Sequence, residues 1–253
     1  MSNTPFKDHF SSHAAGYAAH RPTYPSALVD YLAGIAPGSH LALDCGCGTG
    51  QLSVPLARRF DRVVATDASS SQIANAEPHE RVEYRVAKAE DSGLPDAAAD
   101  LITVAQAAHW LDLDRFYTEA RRIARHDGVL ALVTYGVLHV EGDEVEAVVQ
   151  RFYYDVIGQY WPPERQHVDA GYRTLSFPFG EMTAPPLAIE VAWRLPDLTG
   201  YVDTWSAARE AEKKVGRAPL DDFARDLLAV WGDPEVRRTV RWPISMRVGR
   251  VDG

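Results

Sequence analysis

The sequence predicts an α/β fold: a seven-stranded, mostly parallel sheet with helices on both faces and a helical, aromatic cap inserted after the fifth strand. Three observations predict it. Short apolar runs alternate with helical or turn sequence between residues 41 and 134, the pattern of βαβ units. A glycine-rich turn follows the first run, and an acid, Asp67, closes the second. After Tyr135-Gly136 the rhythm stops, and residues 140–186 turn acidic and helical, then rich in aromatics and proline.

The elements follow in order. Residues 26–36 carry apolar side chains at Leu28, Val29, Leu32 and Ile35, the period of a helix that Pro37-Gly38 ends. The first strand is expected at 41–45, and a helix at 51–60 from Leu52, Pro55, Leu56 and Phe60. Strands follow at 63–67, 82–86 and 100–105, then a helix at 114–124 and, beyond the Asp127-Gly128 turn, a fifth strand at 129–134. A helix is expected over 142–157, and the aromatic runs Tyr160-Trp161-Pro162-Pro163 and Phe177-Pro178-Phe179-Gly180 read as a cap. Residues 188–195 and 241–248 are strand-like and flank a helical region, 201–231, expected to complete the sheet. The expected organisation is one domain over 1–253. Its parts are an N-terminal segment to 37, a core at 38–136, the cap at 137–186 and a closing part from 187.

At 253 residues the chain is long enough to bury one full core, and 46% hydrophobic with 24% charged residues is ordinary globular composition. A net charge of −9 repels a polyanion, and no basic stripe interleaved with aromatics offsets it, so nucleic acid is not an expected partner. Arg121, Arg122 and Arg125 fall at helical spacing and read as a solvated face. The first residues lack the basic start and apolar core of a signal peptide, and no apolar run is long enough to span a bilayer. The expectation is a cytoplasmic protein without membrane contact, monomeric or weakly dimeric. Cys45 and Cys47 share one tight turn, where a mutual disulfide is implausible, and they read as small fillers. The histidines show no paired ligand spacing, so no metal is expected.

Residues 42–50, Ala-Leu-Asp-Cys-Gly-Cys-Gly-Thr-Gly, describe a nucleoside pocket. Gly46, Gly48 and Gly50 remove alternate side chains where the backbone turns, so a ligand can approach the main chain. The free N–H groups of a following helix face that ligand. Asp67, at the carboxyl end of the second strand, is placed to accept hydrogen bonds from a ribose diol. A dinucleotide fingerprint would need a third glycine where Gln51 stands, and Asp44 before the first glycine disfavours a pyrophosphate and favours a cationic group. Two alternatives remain open here, a nicotinamide-dependent oxidoreductase and a non-catalytic cofactor-binding protein.

Asp-x-Gly-x-Gly-x-Gly with a downstream acid resembles the S-adenosylmethionine site of the class I methyltransferases. The N-terminal run Tyr17-Ala18-Ala19-His20-Arg21-Pro22-Thr23-Tyr24-Pro25, Ala89-Glu90-Asp91, Gln106-Ala107-Ala108-His109-Trp110 and Arg122-Ile123 resemble the small-molecule branch, the trans-aconitate methyltransferase group above all. The likeness covers residues 8–136 strongly and the remainder loosely. It implies a Rossmann-like fold, S-adenosylmethionine as cofactor with S-adenosylhomocysteine as product, and methyl transfer to a small molecule, with a carboxylate or hydroxyl oxygen favoured. By position it implies that Asp44, Gly46, Cys47, Gly48 and Gly50 lie against the methionine part. Asp67 and Ala68 would hold the ribose, Ala89 and Glu90 flank the adenine, and Gln106 sits beside the donor. Two departures stand out. Lys88 replaces an Asp that often precedes the Ala-Glu pair, and His126-Asp127-Gly128 replaces a Pro-Gly-Gly turn.

Transfer from a sulfonium is an in-line displacement that needs alignment and exclusion of water rather than a metal. A hydroxyl acceptor also has to lose a proton, and His109, after the fourth strand, is the candidate base. The competing reading of His109-Trp110 is simple packing beneath the cofactor. Tyr17 and Arg21 stand four apart on a possible helix, where the arginine would clamp the cofactor's carboxylate. His109, Trp110, Tyr135, Trp161 and Tyr172, with Tyr160 and Phe177, are candidates to wall the acceptor cavity. A buried arginine there, such as Arg173 or Arg194, would imply an anionic acceptor.

Overall fold

The structure, a computed structural model, describes residues 23–251, so Tyr17 and Arg21 lie outside the described residues. The first helix, α1 (Ser26–Ile35), buries Leu28, Val29 and Leu32. Strand β1 (Leu41–Cys45) is buried along its whole length, as a central parallel strand covered on both faces must be. Asp100 fixes its start, accepting from the His40 and Leu41 amides at 2.9 and 3.0 Å.

After β1 come α2 (Ser53–Leu56), β2 (Arg62–Asp67), α3 (Ser70–Ala74), β3 (Val82–Val86), β4 (Ala99–Ala105), α4 (Leu113–Ile123) and β5 (Ala124–Tyr135). The helix expected over 51–60 survives only as α2 with turns on either side, because Pro55 has no N–H to bond back to Gln51. A two-residue strand, β6 (His139–Val140), leads to α5 (Asp143–Arg151). This helix runs into a π-helical turn at Phe152–Val156, so the predicted helix 142–157 is one element with two geometries. Next come α6 (Arg165–Asp169), β7 (Gly180–Glu181) and β8 (Leu187–Trp193). Three helices, α7 (Leu195–Val202), α8 (Ser206–Val215) and α9 (Ala218–Trp231), precede the long β9 (Arg238–Arg250).

The sheet runs β3-β2-β1-β4-β5-β9, parallel as far as β5 and antiparallel beyond it. Among the described residues nine strands are formed, and they occupy seven positions. Both β5 and β6 pair along one edge of β9, and both β7 and β8 along the other. Because β2 lies to one side of β1 and β4 to the other, the chain reverses direction across the sheet at β1. That leaves a crevice at the carboxyl ends of β1 and β4.

Alternate side chains of β5 feed two cores. Val129, Ala131 and Val133 join Leu28, Phe60, Trp231 and Trp242 on one face, while Leu130 and Leu132 join Phe116, Tyr117 and Ile123 on the other. Among the described residues no helix is long and apolar enough to cross a membrane, and no group of three His, Cys, Asp or Glu is arranged to hold a metal ion.

Candidate active site

The turn after β1 places Gly46, Gly48 and Gly50 at φ of 64°, 57° and 96°, the left-handed region that glycine enters freely. Two of the three also answer to packing, which the sequence reading did not anticipate. A Cβ at Gly46 would stand 2.5 Å from that of Ala107, and one at Gly50 would collide with the Tyr84 hydroxyl, which donates to the Glu77 carbonyl. The Cys47 amide donates to the Thr66 carbonyl at 3.0 Å, tying the turn to β2.

Asp67 ends β2 and holds the turn from the other side. One carboxylate oxygen accepts from the Gly48 amide at 2.9 Å and the other from the Ser69 amide at 2.8 Å. Each oxygen keeps acceptor capacity, and Asp67 and Ala68 remain partly exposed, as a diol-binding pair requires.

Asp44 differs from its expected role. It is 1% exposed, and its oxygens accept from the Ser53 hydroxyl at 2.6 Å and the Thr103 hydroxyl at 2.8 Å. The carboxylate knits the turn to α2 and β4 from below instead of lying open to an ammonium. Burial pushes its pKa up to about 6 against those two hydrogen bonds, and the charge of Asp67 adds to the rise. Cys47 is buried too, its thiol donating to the Gly48 carbonyl, which leaves its main chain to meet a ligand. Burial first, then the charges of Asp44 and Asp67, push that thiol far above the ordinary cysteine range, and Cys45 behaves likewise, so neither is reactive.

The segment after β3 is pinned from beneath. Ala89 is buried, and Glu90 accepts from the Asp112 amide at 3.0 Å. Ser92 donates its amide and hydroxyl to Glu119, which Arg122 grips with two nitrogens at 2.7 and 2.8 Å. Asp44, Asp67 and Glu90 thus cluster around the turn, all three charges reaching the cysteines within it. Acidic surroundings with a half-open diol acceptor suit an adenosyl sulfonium and repel a pyrophosphate.

A cavity of about 170 Å³ opens beside this crevice, between the ends of β4 and β5 and the helical cap. Gln106, His109, Trp110, Tyr135 and Trp161 line it. Gln106 sits at φ 58°, its side chain donating to the Tyr135 carbonyl and accepting from Thr134, so β5 holds both ends of its amide. The His109 ring lies 4.7 Å from that of Trp110 and pairs through Nδ1 with the Tyr172 hydroxyl at 2.9 Å.

Two expectations need correction. Burial, then the charges of Arg165 and His167, lower the His109 pKa to about 3, so its neutral ring has too little proton affinity to serve as a general base near neutrality. Tyr172 is fully buried behind His109 and braces it instead of lining the cavity, while Phe177 packs against Tyr117 and Phe179 elsewhere. Arg173 is exposed, and Arg194 is bound to Asp197 and Glu235 at the start of α7.

Among the described residues the arginines lining the cavity are Arg165 and Arg209. With Tyr153, Tyr201 and Trp205 they were not singled out from sequence: Tyr153 and Arg165 fell in the predicted cap without a role, and Tyr201, Trp205 and Arg209 in the region 201–231 assigned to the closing of the sheet. The one signal available was the i, i+4 spacing of Trp205 and Arg209, which puts an aromatic and a cation on one face of a helix.

A family model described as a methyltransferase domain matches residues 43–132. A Dictyostelium discoideum protein named as a methyltransferase is 36% identical over 256 residues, 98% of this chain and 97% of that one. An uncharacterized methyltransferase of Mycobacterium tuberculosis is 36% identical over 126 residues, 49% of this chain and 51% of that one. A solved structure from Anaeromyxobacter dehalogenans, described as a type II methyltransferase, is 51% identical with a TM-score of 0.88, covering 91% of this chain and 98% of that chain. The likeness to the Dictyostelium protein spans both chains almost entirely and sets aside the nicotinamide reading: the chain belongs to the class I S-adenosylmethionine-dependent methyltransferases.

Proposed function

We propose that the protein transfers a methyl group from S-adenosylmethionine to an oxygen, carboxylate or hydroxyl, of a small molecule held in the cavity between β4, β5 and the cap. The observation that carries this reading is the adjacency of two hollows, an acidic glycine turn at the switch point and an aromatic cavity reached from the same strand ends.

S-adenosylmethionine supplies, when bound, an electrophilic methyl group on a positively charged sulfur. Asp67 and Ala68 would hold the ribose, Ala89 and Glu90 would flank the base, and the main chain of residues 46–50 would face the methionine part. Gln106 and His109, at the end of β4, would stand where the methyl group meets the acceptor. The chemistry so supplied would be displacement at that methyl group by the acceptor oxygen's lone pair, with the C–S electrons staying on sulfur as a neutral thioether. A carboxylate acceptor has no proton to lose, and a hydroxyl would pass its proton to water. His109 serves as a neutral hydrogen-bonding wall, and the aromatic lining excludes competing water.

The test is incubation of the purified protein with methyl-labelled S-adenosylmethionine and fractionated metabolite extracts. The expected outcome is labelled methyl ester or ether and S-adenosylhomocysteine in equal amounts. Label recovered only on nitrogen or on macromolecules would overturn the reading.

A further inference from the structure

Among the described residues eighteen line the cavity, and none of these is an Asp or Glu, although the chain as a whole carries a net charge of −9. Two of them are arginines. The guanidinium of Arg165 stacks over the Trp161 ring, 4.7 Å from its centroid, and donates through Nε to the Tyr153 hydroxyl at 2.7 Å and to Asp169 at 3.2 Å. Tyr153 in turn donates to Asp169 at 2.8 Å, closing a three-membered clamp on the Nε edge. Both terminal nitrogens of Arg165 have no hydrogen-bond partner among the described residues, and the side chain is 22% exposed. Arg209, one wall over on α8, makes no side-chain ion pair or hydrogen bond among the described residues. Trp161, Trp205, Tyr201, Trp242 and Tyr135 supply flat apolar surface around them.

Resting on the reading of this cavity as the acceptor site, we propose that Arg165 is its specificity-determining residue and that the acceptor is a single-ring aromatic carboxylate, its acid group docked on the open two-nitrogen edge of that guanidinium. The geometry argues for each part. An arginine held by stacking and by its Nε offers two parallel N–H bonds, which match the two coplanar oxygens of a carboxylate. A dry cavity of about 150 Å³ is known to hold a benzene ring, so a cavity of about 170 Å³ suits one ring and its substituent. Tryptophan and tyrosine faces favour a planar π-system over an aliphatic chain. With Asp169 offsetting one arginine, the second, Arg209, leaves the wall net positive, which suits a monoanion. Tyr153 and Asp169 act through Arg165 as positioning residues.

The experiment is calorimetric titration of the full chain, with and without S-adenosylhomocysteine. The probes are benzoate, the three hydroxybenzoates, 4-hydroxybenzamide, cyclohexanecarboxylate, phenyl phosphate and citrate. At least one benzoate is expected to bind at least tenfold more tightly than the amide, the cyclohexane acid, phenyl phosphate and citrate. R165Q is expected to erase the preference for acid over amide, and R209Q to reduce it several-fold. Equal binding of acid and amide, a preference for citrate, cyclohexanecarboxylate or phenyl phosphate, absence of benzoate binding, or an R165Q variant that keeps its preference would each overturn the proposal. The wild-type comparison of ligands needs no variant to fold. S-adenosylhomocysteine titrated alone tests the donor reading separately, since that reading can stand while the acceptor proposal fails.

Discussion

Replacing Asp44 with Asn should stabilise the unliganded protein at neutral pH, although Asp44 sits in the motif that identifies the family. The carboxylate is 1% exposed, and its pKa rises from 3.8 to about 6 in the fold. A raised folded-state pKa means that the native protein favours the protonated acid. The stability this group contributes is therefore fully present below 3.8 and is lost as pH rises through 6. A shift of about two units at ~1.4 kcal/mol per unit makes the ionised carboxylate cost on the order of 3 kcal/mol by pH 8. Asparagine has nearly the same shape, and its carbonyl still accepts from Thr103. Its amide nitrogen faces the Ser53 hydroxyl, which turns to accept. The asparagine variant should match the wild type at pH 4 and exceed it at pH 8, by up to ~3 kcal/mol or about 6–12 °C in Tm for a chain of this size. The measurement is paired urea unfolding from pH 4 to 8, in which groups shared by both proteins cancel in the difference. A difference that stays flat across this range, or a variant less stable at pH 8, would refute the argument. Binding should move the other way, with S-adenosylmethionine affinity falling because the cationic donor loses a nearby negative charge.

Other sites give sharper yes-or-no outcomes. His109 has a folded pKa of about 3, so the unfolded chain takes up the proton first, and the stability tied to its neutral ring is present above 6.5 and lost as pH falls towards 3. Circular dichroism should therefore show His109→Gln resisting acid better than the wild type, and its methyl-transfer rate should follow the same pH profile. Gly46→Ala combines a φ of 64° with a Cβ placed 2.5 Å from Ala107, and thermal melts should show a loss of about 2–5 kcal/mol. Gly50→Ala should be partly rescued by Tyr84→Phe, which removes the hydroxyl it strikes; a double-mutant cycle with zero coupling would count against that contact. Glu119→Gln removes a charged acceptor of four hydrogen bonds, costing about 1–3 kcal/mol, and proteolysis should find the segment around residues 88–94 more open.

The two hollows differed in how legible they were from sequence, for a physical reason. The donor hollow is built from backbone conformation and strand ends, and both leave local marks. A left-handed turn asks for glycine, a buried parallel strand asks for an unbroken apolar run such as Leu41-Ala42-Leu43, and a diol acceptor asks for an acid where β2 stops. The same marks under-described their own causes. Gly46 and Gly50 make room for Ala107 and the Tyr84 hydroxyl, and Asp44 serves Ser53 and Thr103, none of them within four residues in sequence.

The cavity follows other rules. Its walls come from the ends of β4 and β5, from the π-helical turn, from α6 and from α7 and α8, segments brought together only when β9 closes the sheet. Arg165 illustrates the difficulty. The run Trp161-Pro162-Pro163-Glu164-Arg165 carries no local mark of a binding role for it. Its two terminal nitrogens are left for the proposed carboxylate only because Tyr153 and Asp169 hold its Nε while Trp161 covers one face. Tyr153 reaches it from the π-helical turn, where the widened winding shifts the register of side chains beyond α5, a geometry without a sequence period of its own. Donor chemistry is thus fixed by segments short enough to read in line. In the proposed site, acceptor choice would rest on contacts across the fold that no single stretch of sequence displays.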